Sequence, residues 1–373
     1  MKTLKIFLSL CIVLLIGAAA GFVLGVSPMI TMPIVFVASL LVPNQKGILA
    51  FAATINLADL KSEFGTYIGT NEQDILKLLT QPTETIKYMT SKFTRDLKWR
   101  AAKAYIDSIV QGFQKAWTPK GTAVFTPIEI EQRRHKFDVE FYPDEVFESW
   151  LGFLADESKS RAEWPISRYI IEQLIIPKVD EDRELKIIGI GEYASISEGV
   201  AQATGLSADG FVTILQNLKD GGTSNVNFIN TDLETFTDTN IFEMIENFAK
   251  QVSYLYRNRQ MRLFLNTYWY MAYHLRRRDL HGLDTNYNGM KDVVEGTNLI
   301  LTPLPSMGQK NLIFATPKDN FIRVLNLNEG ASNIFFETID RKLKVWGDWH
   351  EAPGFAIEEA IFAHVPGAGS ESM

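Results

Sequence analysis

Thr297-Asn298-Leu299-Ile300-Leu301-Thr302 is the first of six short apolar runs that fill residues 296–365. Asn311-Leu312-Ile313-Phe314-Ala315, Asn320-Phe321-Ile322-Arg323-Val324-Leu325, Ile334-Phe335-Phe336-Glu337-Thr338-Ile339, Lys342-Leu343-Lys344-Val345-Trp346 and Phe355-Ala356-Ile357 follow. Each has the length of an ordinary strand and is rich in β-branched or aromatic residues. Turn chemistry separates them: Pro303 and Pro305, Thr316-Pro317-Lys318-Asp319, Asn328-Glu329-Gly330, and Ala352-Pro353-Gly354. No catalytic residue type stands out, so this part of the chain reads as a β-rich scaffold and not a pocket.

Four strings within and around these runs carry a resemblance. They are Leu304-Pro305-Ser306-Met307-Gly308, Ile313-Phe314-Ala315-Thr316-Pro317-Lys318-Asp319-Asn320, Asp340-Arg341-Lys342-Leu343-Lys344-Val345 and Gly354-Phe355-Ala356-Ile357-Glu358-Glu359-Ala360-Ile361-Phe362-Ala363. None is specific alone, but their succession resembles the C-terminal part of tailed-bacteriophage major capsid proteins, whose fold is shared with encapsulin shells. The resemblance covers residues 118–365 well and 44–117 loosely. It implies an α+β fold with an N-terminal arm (44–117), an extended β-hairpin loop (118–143), the spine helix of a peripheral domain (144–186) and an axial domain (187–295). A β-rich part shared by the axial and peripheral domains (296–365) and a disordered tail (366–373) complete the plan. It further implies a major capsid protein that assembles with itself into the pentamers and hexamers of an icosahedral shell, with no enzymatic activity and no cofactor. Portal and scaffold proteins and packaged double-stranded DNA, held without sequence specificity, are the implied partners.

Composition fits that class. The 373 residues are 46% hydrophobic and 22% charged, which is globular and not disordered. A net charge of −7 argues against a protein that grips nucleic acid through its phosphates. Cys11 is the sole cysteine, so neither an intrachain disulfide nor a cysteine-rich metal site can form.

The N-terminal segment, residues 1–43, departs from the resemblance. Lys2 and Lys5 precede an uncharged apolar run, residues 6–26, long enough to span a bilayer, and a second run, 29–42, is broken by Pro33. Extra hydrophobic helices there would make residues 6–42 a membrane partner, and Ala18-Ala19-Ala20 could serve as a cleavage site. An upstream start codon, a fused segment, or burial as an arm between subunits are the other readings. A membrane-anchored envelope or surface structural protein is the alternative function, with an anchored hydrolase behind it.

From Thr83 onward Ile86, Met89, Phe93, Leu97, Ala101, Tyr105, Ile109 and Phe113 recur at spacings of three and four, which predicts a long amphipathic helix. Strict alternation follows: Ile128 and Ile130 against Glu129 and Glu131, then Phe137, Val139 and Phe141 against Asp138 and Glu140. This predicts a half-exposed hairpin turning at Arg133-Arg134-His135. In the capsid family this is the extended loop that lies on an adjacent subunit. Ile128, Ile130, Arg133, Arg134, Phe137, Val139 and Phe141 are therefore the expected inter-subunit contacts. A helix over residues 164–186 should carry Ile166, Tyr169, Ile170 and Leu174 along one side, kink at Pro177, and end in a solvated face, Asp180-Glu181-Asp182-Arg183-Glu184. Ser207 is placed to cap a helix that stops at Gly221-Gly222, a second helix carries Ile241 to Leu255, and a strand at residues 261–266 leads into a helix from Thr267 to His281. The basic end of that last helix, Arg276-Arg277-Arg278, suits the helix dipole or an acidic neighbour.

Chemistry is sparse. Asp284-x-Asn286-x-Asn288-Gly289-x-x-Asp292-x-x-Glu295 satisfies the calcium-loop spacing, but Lys291 stands where such loops place a branched apolar residue. The expectation is no metal. His135, His274, His281, His350 and His364 are scattered. Gly189-x-Gly191 lacks the third glycine of a dinucleotide site. Asp348, His350 and Glu351 beside Trp346 and Trp349 read as an aromatic strand pair before a sugar site. No motif identifies partners for inter-subunit cross-linking.

Overall fold

The computed structural model describes residues 57–79, 83–106, 108–222, 224–230, 236–257, 260–282, 291–326, 334–339 and 342–366. The chain divides after Ile55, and the architecture below is that of the second unit, Asn56–Met373. Residues 6–42 lie outside the described residues, and among those described no helix is long and apolar enough to cross a membrane.

Helix α1 (Leu57–Leu79) buries Leu60, Phe64, Tyr67 and Ile75, so it packs on its own subunit. Its partners lie on one long helical segment, called the spine here: α3 (Ile166–Tyr169), a π-helical stretch Ile170–Ile175 and α4 (Ile176–Asp182), which a second π-helical stretch, Arg183–Ile188, continues. Glu63 accepts from the Ser167 amide and hydroxyl, both at 3.0 Å, and Tyr67 donates to Glu172 at 2.5 Å. A helical segment thus runs from Ile166 to Ile188, where the apolar period predicts a helix over residues 164–186. Pro177 sits in the first turn of α4, directly after the π stretch, where its missing N–H is tolerated. Helix α2 (Pro143–Asp156) braces the spine's start, with the Trp150 indole donating to the Trp164 carbonyl at 2.9 Å.

The helix predicted from Thr83 to Phe113 is not there. Only one turn, Ile86–Tyr88, is helical; β1 (Thr90–Thr94) and β2 (Lys98–Ile106) follow. Nor do the two alternating runs pair with each other. β3 (Ala123–Glu131) pairs antiparallel with β2 over nine positions, from Lys98↔Glu131 to Ile106↔Ala123. β4 (Arg133–Phe141) runs on past Gln132 and pairs with β11 (Lys342–Phe355), from Arg133↔Glu351 to Phe141↔Leu343. The two-stranded ribbon is therefore residues 98–131 and not 118–143.

β11 organises the first sheet. Its first half also pairs with β10 (Ile334–Ile339) and its last five residues with β9 (Phe321–Asn326), which pairs in parallel with β1. Ala352-Pro353-Gly354, expected as a turn, lies inside this one long strand. The second sheet runs β5 (Asn227–Phe228), β12 (Phe362–His364), β8 (Ile313–Thr316), β6 (Met261–Leu265), β7 (Leu299–Pro303). Period two sorts its side chains between two cores. Met261, Leu263, Leu265, Ile313 and Phe362 join Ile245 and Phe248 of α6 (Ile241–Gln251), which the short α7 (Tyr254–Arg257) follows, and Trp269 and Tyr273 of α8 (Thr267–His281). Phe264, Phe314 and Ala363 face the other way, to Phe321, Phe355 and Phe211 of α5 (Phe211–Asp220). A sheet covered on both faces needs unbroken apolar strands, which is what residues 296–365 supply. Gly210 and not Ser207 caps α5, and Gly221 and Gly222 end it as predicted.

Candidate assembly interface

The ribbon's base is anchored to the first sheet. Trp99 and Ile130 pair across it and pack with Ile322, Val324 and Ala352 of the first sheet. Arg100 donates to Glu129 at 2.9 Å, and Lys98 lies within 3.7 Å of both Glu129 and Glu131, which ties the base together. Beyond Ile106 and Ala123 the chain loops out, and this tip presents its apolar side chains to water. Ile109 is 60% exposed, Val110 81%, Phe113 95% and Trp117 92%. Hydrogen bonds nonetheless hold the tip in shape: the Gln111 amide reaches the Thr118 carbonyl at 2.7 Å, and Lys120 reaches the Val110 carbonyl at 2.8 Å. Four large apolar side chains thus stand in water on one loop.

The seven residues named from the sequence divide between two places. Ile128, Ile130 and Arg133 line a groove beside the ribbon's base, of about 630 Å³, whose other walls are α5, through Ile214 and Leu218, and the end of β11 with Ala356, Glu358 and Glu359. Arg133 also stacks on Tyr193, its guanidinium 4.1 Å from the ring centre. Arg134, Phe137, Val139 and Phe141 belong to β4, where they pair with His350, Gly347, Val345 and Leu343 within the same subunit. Arg134 is ion-paired with Asp348. His135, expected at a turn tip, is buried, stacked on Trp349 and 3.0 Å from the Ser207 hydroxyl.

Sequence reasoning missed the tip because Ile109 and Phe113 also satisfied a helical spacing. The readable signal was Gln111-Gly112-Phe113 and Thr118-Pro119-Lys120-Gly121, turn chemistry on both sides of an apolar pair.

It also missed a buried ionic cluster. The run of charges predicts a solvated face at Arg183 and Glu184, yet Arg183 is 1% exposed and Glu184 is buried. The second π stretch turns both inward. Glu184 accepts from the Thr85 hydroxyl at 2.5 Å and the Thr85 amide at 3.1 Å, and also from Thr83, fastening the segment before β1. Arg183 pairs with Asp180 and approaches Glu351 at 3.9 Å; Arg323 of β9 pairs with the same Glu351, and the Trp349 indole donates to it at 3.2 Å. Burial alone would raise the Glu351 carboxyl, but Arg323 and Arg183 outweigh it and hold it down to about 2. Burial also pushes His135 below the usual imidazole range, against the pull of Glu351. The cluster joins the spine, β4, β9 and β11.

Other sequence candidates are structural in this setting. Gly189 and Gly191 serve close backbone packing: a Cβ on Gly189 would lie 1.8 Å from the Ser306 carbonyl oxygen, and the Val212 amide donates to the Gly189 carbonyl at 3.0 Å. Residues 283–290 of the calcium-like loop lie outside the described residues. Its remaining acids are engaged with protein: Asp292 accepts from Tyr270 at 2.6 Å, and Glu295 pairs with Arg277 at 2.8 Å. Arg277 of the basic triplet is thus buried against its own chain. Among the described residues no group of three or more metal-ligating side chains forms.

No protein-family model matches the sequence, and no curated protein matches it. Solved structures do match. A chain of the satellite phage P4 procapsid superposes with a TM-score of 0.51 at 11% identity, covering 83% of this chain and 97% of that one. The phage G major capsid structure gives a TM-score of 0.42 at 9% identity, covering 76% and 90%. The SrpI encapsulin of Synechococcus elongatus gives 0.42 at 9%, covering 79% and 91%. The P4 likeness spans nearly the whole of its partner. The chain therefore has the phage capsid-shell fold that its sequence resembles.

Proposed function

We propose that this chain is the major capsid subunit of a tailed phage or prophage, assembling with copies of itself into an icosahedral shell around double-stranded DNA. The observation that carries the reading is the ribbon tip, whose Phe113 and Trp117 stand in water on a hydrogen-bonded loop at the end of an arm whose base packs on the first sheet. Buried by a neighbour, each would contribute roughly 1.5–3 kcal/mol. Repeated around a symmetry axis, such modest contacts close a shell without any bond being made or broken. Ile128, Ile130 and Arg133 at the groove, and Arg134, Phe137, Val139 and Phe141 on β4, are the further inter-subunit residues in this proposal. The acidic balance suits a container for DNA delivered by other machinery, without sequence-specific contacts, and portal and scaffold proteins are the accessory partners. The role asks for no catalysis and no cofactor, and it places the protein in the virion capsid.

The test is to purify residues 44–373 and examine them by sedimentation and negative-stain electron microscopy. Rings, pentamers, hexamers or shells are expected. A well-folded, strictly monomeric product at high concentration contradicts the proposal.

A further inference from the structure

We propose that β4 is a two-fold assembly edge, adding antiparallel to β4 of a second copy of this chain so that one sheet runs through two subunits. The inference rests on the shell-subunit reading and deepens it by naming a surface that lies on a two-fold axis. β4 pairs with β11 along one side, and among the described residues no strand pairs with its other side. Its nine residues, Arg133-Arg134-His135-Lys136-Phe137-Asp138-Val139-Glu140-Phe141, hold no proline or glycine that would blunt such an edge. An edge strand of this kind is a template for strand addition. Charged side chains ordinarily guard it, because a second copy brings the same charges. The order of the charges in β4 removes that guard.

Arg134, Lys136, Asp138 and Glu140 alternate with buried and half-buried residues, and all four are exposed on the open face of the sheet. Two cations precede Phe137 on that face and two anions follow it. An antiparallel pairing centred on Phe137 therefore sets Arg134 opposite Glu140 and Lys136 opposite Asp138, each twice by symmetry, with unlike charges at every pair. Moving the centre to Lys136 or Asp138 sets that residue against its own copy. Moving it to His135 or Val139 sets Arg134 against Lys136, or Asp138 against Glu140. Like charges directly opposite are unfavourable, so the strand specifies one register as well as one partner. Within the chain the same side chains pair at the surface: Arg134 with Asp348, Lys136 with Asp138 at 2.6 Å and Glu140 with Lys342 at 2.7 Å. Such exposed pairs contribute little alone, and a further unlike charge on each makes a network. A contact of this kind is isologous and closes at two chains.

The experiment uses the full chain with Cys11→Ser, which removes the only cysteine. Residues directly opposite in an antiparallel pair have Cα atoms about 4.5–5.5 Å apart, within disulfide reach. Oxidation of Phe137→Cys with copper phenanthroline should therefore give a covalent dimer, and no higher multiples, on a denaturing gel. Val139→Cys, whose two copies would stand four residues apart along the pair, about 14 Å, should give none. A second test needs no cysteine. Glu140→Arg sets like charge against Arg134 at two points and should weaken self-association about tenfold, read by sedimentation, and Arg134→Glu in the same chain should bring it back. That double swap sets like charges against Asp348 and Lys342 within the chain, so recovery can come only from across the axis. Particles visible by electron microscopy without the Phe137→Cys dimer, or an equal dimer from Val139→Cys, overturn the strand pairing while leaving the shell reading intact. A Phe137→Cys dimer without particles upholds the pairing and contradicts the shell reading. Absence of both overturns both, and failure of Arg134→Glu to rescue Glu140→Arg counts against the register.

Discussion

Replacing Phe113 and Trp117 together with Ser separates assembly from folding. Both side chains are more than nine-tenths exposed and contribute to neither of the two large cores. Their loss should leave subunit stability within about 0.5 kcal/mol of the parent, as for other surface changes. At an interface the same two side chains would each contribute roughly 1.5–3 kcal/mol, or 3–6 kcal/mol for the pair. At 1.4 kcal/mol per tenfold, that is a loss of roughly two to four orders of magnitude in the association constant of each contact. Many such contacts close one particle, so assembly should vanish at any accessible concentration. The assay pairs sedimentation velocity with a thermal melt of the unassembled protein. Assembly at the parent's threshold concentration would refute the reasoning, and so would a melt lowered by many degrees, because that would place the tip in the subunit's own core.

Three further outcomes follow from the interior. Arg323→Met strips a partner from fully buried Glu351, which Arg183 at 3.9 Å only partly compensates; stability should fall by about 3–5 kcal/mol, read from denaturant unfolding. Burial holds His135, His274, His350 and His364 below their ordinary value, so the unfolded chain binds protons near pH 6.5 that the folded chain refuses. Stability is therefore full above about pH 6.5 and falls with acidification, most through the buried His135, by up to about 1.4 kcal/mol per pH unit for that group, and His135→Gln should flatten the slope measured by melts between pH 7 and 5. Gly189→Ala drives a Cβ into the Ser306 carbonyl at 1.8 Å, backbone against backbone, and should cost about 3 kcal/mol or more, with loss of soluble protein as the readout.

The cores were legible because burial leaves a pattern. Strands sandwiched on both faces, such as Leu263 to Leu265 and Ile313 to Ala315, show as unbroken apolar runs, and β4 shows period two because only one of its faces is covered. Helices α5, α6 and α8 announce themselves by their apolar stripes and, for α5 and α8, by glycine or asparagine at an end. The ribbon was illegible for the opposite reason. None of the described side chains of β2 is fully buried, so the alternation there is weak, and Phe93, Leu97, Ala101 and Tyr105 fell by chance on a helical spacing. Pairing partners were equally hidden: Glu131-Gln132-Arg133 looks like a polar turn, yet the chain passes straight through it from ribbon to sheet, and the partner of β4 lies some two hundred residues away. Arg183 and Glu184 carry no sign of burial in a run of five charges. Only the placement of Arg323, Glu351 and Thr85 around them makes an interior site possible for ions.

Cryo-electron microscopy of particles formed by the full chain tests the central claim most directly. Closed shells are expected in which each ribbon lies on the next subunit, with Phe113 and Trp117 buried against it. Particles whose ribbons project into solvent, or a chain that yields no closed assembly at all, would contradict the account.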